Sequence, residues 1–175
     1  MKKLIVAAIL IIVYAIPSFA QNENKFSLSI GPELGFATGS FSNTHSVGTG
    51  GTVQAEYYVQ DKLKATATFG ILAYIGKTIT VANQKFKYPS QTIIPLRVGG
   101  KYFLAGGIYA GLQTGVAFLS NYASTTAFAY SPLVGYEFKT RSDKSIDATL
   151  KYDGYSAGGG VGTIGALGIR LAYVF

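Results

Sequence analysis

The chain has 175 residues, of which 49% are hydrophobic and 13% charged, with 13 Tyr, 11 Phe and 22 Gly but no Cys. Its 15 basic and 8 acidic residues give a formal charge of +7; the basic residues are dispersed, so the stripe of a nucleic-acid binder is missing. With one histidine and no cysteine, neither a transition-metal site nor a disulfide framework is expected, and no cofactor is implied.

The first element, residues 1–20, has the form of a secretory signal peptide. "MKK" supplies the positive start, "LIVAAILIIVYAI" an apolar run of 13, and "PSFA" a break ending in small residues. Ser18 and Ala20 suit a cut before Gln21. The run is shorter than the roughly 17–25 residues of a membrane-spanning helix. The remainder, 21–175, fits one domain. There the 15 basic residues less Lys2 and Lys3 leave 13 against 8 acidic, a mild excess.

Eight segments then alternate with a period of two, the signature of strands. In "KFSLSIGPELGFA", Phe26, Leu28, Ile30, Leu34 and Phe36 oppose Ser27, Ser29, Gly31, Glu33 and Gly35. "GTVQAEYYV" sets Val53, Ala55, Tyr57 and Val59 against Thr52, Gln54, Glu56 and Tyr58. The third runs from Leu63 to Ile71, with Lys64, Thr66, Thr68 and Gly70 on its second face. "TIIPLRVGGKYF" opposes Ile94, Leu96, Val98 and Tyr102 to Arg97, Gly99 and Lys101. The fifth spans Ile108 to Phe118, the sixth Thr126 to Phe138, and the seventh is "SIDATLKYD". The last, "ALGIRLAYVF", places Leu167, Ile169, Leu171, Tyr173 and Phe175 on one face and Arg170 on the other.

Connections alternate in length: about eleven residues ("TGSFSNTHSVG"), tight "QDK", a long stretch from Ile75 to Gln91, short "LAGG", intermediate "SNYAST", short "TRSDKS" and glycine-rich "GYSAGGGVG". Within the long stretch, "KTITV" and "KFKY" flank "ANQ" and are expected to extend a hairpin beyond the sheet. Short turns at one end and longer loops at the other describe an up-and-down meander. Closing it removes the edges.

Charge decides which face lies inside. With each strand oriented by its apolar residues alone, all eleven charged residues in the segments fall on the less apolar face: Glu33, Glu56, Lys64, Arg97, Lys101, Glu137, Lys139, Asp147, Lys151, Asp153 and Arg170. A soluble barrel or sandwich reverses that pattern. The fold class is therefore all-β, an eight-stranded antiparallel up-and-down transmembrane β-barrel. Aromatic girdles agree: Phe26, Tyr57, Tyr102, Phe138, Tyr173 and Phe175 near the short turns, Phe36, Phe118, Phe128 and Tyr152 near the long loops.

A signal peptide, eight alternating strands and a final "LGIRLAYVF" resemble the small outer-membrane β-barrels of Gram-negative bacteria. The stretch "IIPLRVGGKYFLAGGIYAGLQTGVAF" resembles the outer-membrane β-barrel domain common in Bacteroidetes-type proteins. The likeness covers 21–175 and implies outer-membrane residence, contact with lipid and lipopolysaccharide, and a terminal strand whose Leu171, Tyr173 and Phe175 are recognised by the barrel-assembly machinery. That family is functionally mixed, so no one activity follows.

The candidate site is the interior. With Lys64, Lys139 and Asp153 set aside as near strand ends, Glu33, Glu56, Glu137 and Asp147 face Arg97, Lys101, Lys151 and Arg170. Inward Gly31, Gly99, Gly111, Gly115 and Gly168 leave room for the basic arms. The expectation is a paired polar core that plugs the barrel. A polar path for solutes or protons is the alternative, and catalytic carboxylates rank third.

His45, in the first long loop beside Ser46, is expected to be a solvated loop residue. Gly160, Gly162 and Gly165 match a nucleotide-binding spacing, but a strand follows where a helix is required. Phe41, Phe86, Tyr88, Tyr122 and Tyr155 read either as an upper interfacial belt, the favoured option, or as a binding patch. Pro95 and Pro132 either interrupt a ladder or mark a bulge. The expected role is non-enzymatic: a structural membrane component, or binding of an extracellular ligand through the loops. A narrow pore or transporter for small or hydrophobic molecules is the alternative, and a lipid-modifying enzyme comes third.

Overall fold

Among the described residues the alternation becomes ten strands: β1 (Phe26–Thr38), β2 (His45–Gln60), β3 (Leu63–Gly76), β4 (Thr78–Val81), β5 (Gln84–Lys87), β6 (Gln91–Ala105), β7 (Ile108–Asn121), β8 (Ala123–Lys139), β9 (Ser145–Ala157) and β10 (Thr163–Val174). The structure, a computed structural model, describes residues 25–81, 84–121, 123–140, 144–158 and 163–175. The signal segment 1–20, its cut before Gln21, Tyr122, Gly160 and Gly162 lie outside the described residues.

Eight strands close into one antiparallel barrel in the order β1-β10-β9-β8-β7-β6-β3-β2. The remaining two, β4 and β5, pair as the hairpin expected between Ile75 and Gln91. The short turns form where expected. Asp61 and Lys62 alone join β2 to β3, and Gly106 and Gly107, at φ of 57° and 95°, join β6 to β7. Glycine adopts that left-handed backbone without steric cost.

The wall is apolar outside. Ile30, Phe69, Leu96, Leu112, Leu150 and Ile169 are exposed on the outer surface, as are the girdle residues Tyr57, Tyr102, Phe118, Phe128 and Phe138. Glu33, Glu56, Arg97, Lys101, Asp147, Lys151 and Arg170 are buried within. Only hydrocarbon accommodates such an exterior over the whole circumference.

Three ladders contain a gap without a change of register, and each gap holds a proline. Between β1 and β10 the pairing steps from Ile30–Tyr173 to Glu33–Arg170 across Pro32. Between β3 and β6 it steps from Phe69–Leu96 to Leu72–Ile93 across Pro95. Between β8 and β9 it steps from Tyr130–Gly154 to Leu133–Lys151 across Pro132. A missing N–H accounts for each interruption, so Pro95 and Pro132 mark ladder gaps and not bulges.

The first long connection is shorter than its sequence suggests. Only Gly39 to Thr44 separate β1 from β2, and a short 3-10 turn (Gly39–Asn43) folds over the barrel end. The side chain of Phe41 drives this: it is buried, edge-on to Tyr74 with centroids 5.2 Å apart.

Candidate functional site

All eight residues assigned to the interior network are buried inside the barrel. The pairing has an order that spacing alone does not reveal. One chain of alternating charge runs Glu137–Lys64–Glu56–Lys101–Asp147–Arg170, with successive separations of 2.8, 3.0, 2.7, 2.6 and 3.8 Å. A second runs Glu33–Lys151–Asp153–Arg97, with Glu33 to Lys151 at 2.7 Å, Lys151 to Asp153 at 3.4 Å, and Arg97 bonded directly to Asp153. Each chain holds as many cations as carboxylates, and each is neutral.

Two of the three residues set aside belong to these chains. Asp153 is not at a strand end, because β9 continues through Gly154, Tyr155 and Ala157; it is fully buried between Arg97 and Lys151. Lys64 is the second residue of β3, yet it is buried as well. Its ammonium lies 4.7 Å from the Tyr58 ring centroid and 5.1 Å from that of Phe103. Lys139 stays exposed at the rim.

The wall makes room for long side chains by placing glycine opposite them. Arg97 pairs across the ladder with Gly115, Lys101 with Gly111, and Lys151 with Gly168. A Cβ at Gly115 would stand 2.1 Å from the Leu96 carbonyl oxygen and 2.9 Å from Arg97 Cα.

Neutral polar groups add to the network. Arg170 donates from Nε to Thr52 at 2.6 Å and from Nη2 to Ser29 at 2.8 Å. The Tyr109 hydroxyl donates to Asp147 at 2.8 Å. Gln113 donates to Gln54 at 2.9 Å, and Gln54 to Glu56 at 2.6 Å. Ser131 donates to Asp153 at 2.8 Å. Low dielectric strengthens each of these bonds and makes a lost partner costly.

Above the ionic chains, towards the long loops, the interior turns apolar. Leu72, Tyr74, Ile93, Leu119, Tyr155 and Ala166 form a buried cluster capped by Phe41. Phe41 and Tyr155 therefore belong neither to an interfacial belt nor to a surface patch. Of the other loop aromatics, Phe86 is exposed on β5 and Tyr88 half-buried.

His45 departs from its expectation as a solvated residue. It is the first residue of β2 and is buried, its ring stacked on Phe41 at 4.5 Å. Nδ1 lies 2.8 Å from Thr44 Oγ1 and Nε2 lies 3.2 Å from the Pro89 carbonyl. The Ser46 hydroxyl instead donates to the Ile75 carbonyl at 3.5 Å, so no histidine–serine couple forms here. Among the described residues no three metal-ligating side chains come together.

No family model matches the chain, and no curated protein matches it. Solved structures do. Ail, the attachment invasion locus protein of Yersinia pestis, is similar over 86% of this chain and 98% of its own, at 15% identity and a TM-score of 0.53. Its backbone structure in a phospholipid bilayer nanodisc covers 87% of this chain and 100% of its own, at 16% identity and a TM-score of 0.56. The outer membrane protein OprG from Pseudomonas aeruginosa covers 86% and 95%, at 13% identity and a TM-score of 0.50. The fold is that of a small outer-membrane barrel. At these identities the likeness speaks for architecture alone.

Two outcomes follow from the site. Arg97→Leu leaves the second chain with one cation for two carboxylates, and we expect a loss of about 3–5 kcal/mol in denaturant unfolding, as for other broken buried pairs. Removing Asp153 as well, in Arg97→Leu/Asp153→Leu, should restore much of it; a double variant no more stable than the single one contradicts the pairing.

For His45, which lies beyond the upper girdle, burial holds the pKa below its usual value, partly offset by the Pro89 carbonyl. The folded state thus favours the neutral ring. Its contribution is complete above the ordinary histidine pKa of about 6.5 and is lost as pH falls through the lowered value. Protection of the Thr44 and Lys77 amides, which bond to Phe41 and Thr44 carbonyls, should decline as pH falls below about 6.5. In His45→Gln that pH dependence should vanish.

Proposed function

We propose that this chain is an integral protein of the Gram-negative outer membrane, exported by way of residues 1–20, with a plugged interior and no catalytic role. It acts as a structural membrane component or by binding through its long-loop end. The supporting observation is the axial filling: two neutral charge chains surmounted by an apolar cluster under Phe41. An ion crossing the lumen would have to break paired charges and then pass between Leu72, Ile93, Leu119 and Tyr155. In this reading Leu171, Tyr173 and Phe175, exposed on the outer face of the chain's last residues, form the signal read by the barrel-assembly machinery. Lipid and lipopolysaccharide surround the wall.

One observation favours a second reading. The ladder gaps at Pro32, Pro95 and Pro132 weaken three seams of the wall, as a narrow transporter with a side opening for small or hydrophobic molecules would need.

Planar-bilayer recording of the folded mature protein separates lumenal conduction from a plug. We expect no steady conductance from protein whose folding is verified by heat-modifiable gel migration. Reproducible conductance altered by Glu33→Gln or Arg97→Gln would place the function in the lumen and overturn the plugged reading.

A further inference from the structure

At the short-turn end the barrel opens into a cavity of about 460 Å³, lined among others by Ser27, Lys64, Glu137, Lys139, Lys144 and Ser145. Register explains how they meet. Glu137 and Lys139 share the inward parity of β8, Lys139 pairs with Ser145 across the ladder, and Ser145 pairs in turn with Val174 of β10. Lys64 reaches in from β3 across the mouth and donates to Glu137 at 2.8 Å.

The cavity carries an excess of positive charge. Lys64 and Glu137 belong to the first charge chain, which is neutral as a whole and so cancels nothing beyond itself. Lys139 and Lys144 lie outside it, and among the described residues neither forms an ion pair. The other charged residues of their turn, Arg141 and Asp143, are of opposite sign. The turn is pinned at its base, where Thr140 donates its N–H at 2.8 Å and its hydroxyl at 2.6 Å to the Lys144 carbonyl. At the lip, the Lys144 ammonium lies 5.7 Å from the Tyr173 ring centroid and 5.5 Å from that of Phe175. Such rings hold a cation in place but leave its charge and its N–H donors unspent. The buried Ser27 hydroxyl has no hydrogen-bond partner among the described residues.

We infer that this cavity is a binding site for a small anion, the carboxylate or phosphate group of a periplasmic solute. Lys139 and Lys144 supply the charge, and the Ser27 and Ser145 hydroxyls are the neutral donors beside them. The volume falls within the roughly 300–1,000 Å³ of small-ligand sites. Behind the cavity the Lys64–Glu137 pair begins the filled part of the lumen, so the anion is held at the foot of the plug and not conducted through it. The assignment to the periplasm rests on the outer-membrane reading above, in which short turns face that compartment.

The test uses the folded mature barrel, isotopically labelled, in a sugar detergent that carries no phosphate. Backbone amide shifts are followed while succinate, inorganic phosphate or uncharged succinamide is added at constant ionic strength. Saturable shifts at Ser27, Lys139 and Ser145 are expected from succinate, phosphate or both, and the anion that binds more tightly names the preferred group. Succinamide should produce none. Lys139→Gln and Lys144→Gln should each weaken binding about tenfold, as the loss of a charge-assisted hydrogen bond does. Lys62→Gln, in the β2–β3 turn at the same end but outside the cavity, should leave it unchanged. A folded barrel without saturable shifts from either anion overturns the inference, as does an equal response to succinamide. A loss in Lys62→Gln as large as in Lys139→Gln would reduce the effect to net charge and overturn it too. Heat-modifiable migration is scored in parallel: a chain that never reaches the heat-modifiable form contradicts the outer-membrane reading, whereas a folded barrel that leaves both anions unbound contradicts only the site.

Discussion

In hydrocarbon an unpaired backbone N–H or C=O costs several kcal/mol, and the seam between β1 and β10 is where this chain meets that constraint. The first and last strands pair from Ser29–Val174 up to Thr38–Gly165, and the Phe175 N–H reaches the Leu28 carbonyl at 2.9 Å. Once the seam closes, no long edge remains in the barrel and each of its eight strands has two neighbours. Closure also fixes what the side chains must do. One parity faces lipid and must be apolar; the other faces a lumen too narrow for bulk water and must satisfy itself.

Self-satisfaction explains the composition of the lumen. An isolated buried charge would be prohibitive, so five carboxylates are matched with five cations in two alternating chains. The glycines opposite Arg97, Lys101 and Lys151 belong to the same solution, since a larger residue would collide with the neighbouring backbone or with the basic side chain itself. The three proline gaps are a local cost set against closure. They leave register intact because pairing resumes in step on either side.

Much of this was legible in the sequence because a period of two determines the facing of every strand. Arg170 among Leu167, Ile169, Leu171 and Tyr173 allows only one inward assignment, and the structure keeps it. Legibility failed where both faces are apolar. In "FGILAYIG" the inward Leu72 and Tyr74 carry the same chemistry as the outward Ile71 and Ile75, so the apolar upper lumen left no mark on the alternation. Asp153 was misplaced for a related reason. Gly154 looks like a terminator, although the alternating Asp153, Tyr155 and Ala157 would have extended β9 to its observed end. His45 was invisible as a buried group because its shelter comes from Phe41 and Pro89, which only the folded turn and the distant loop bring together.

The central claim is that the wall turns its apolar parity to lipid and its charged parity inward. Since the chain has no cysteine, single cysteines can carry nitroxide labels at outward Leu96, Leu112 and Leu150 and at inward Gln113 and Thr149, with relaxation measured in bilayers. The outward labels should collide freely with oxygen dissolved in the acyl layer and hardly at all with an aqueous nickel chelate, while the inward labels respond little to either. Outward labels reached by the aqueous chelate, or inward labels in contact with acyl-layer oxygen, would contradict the account.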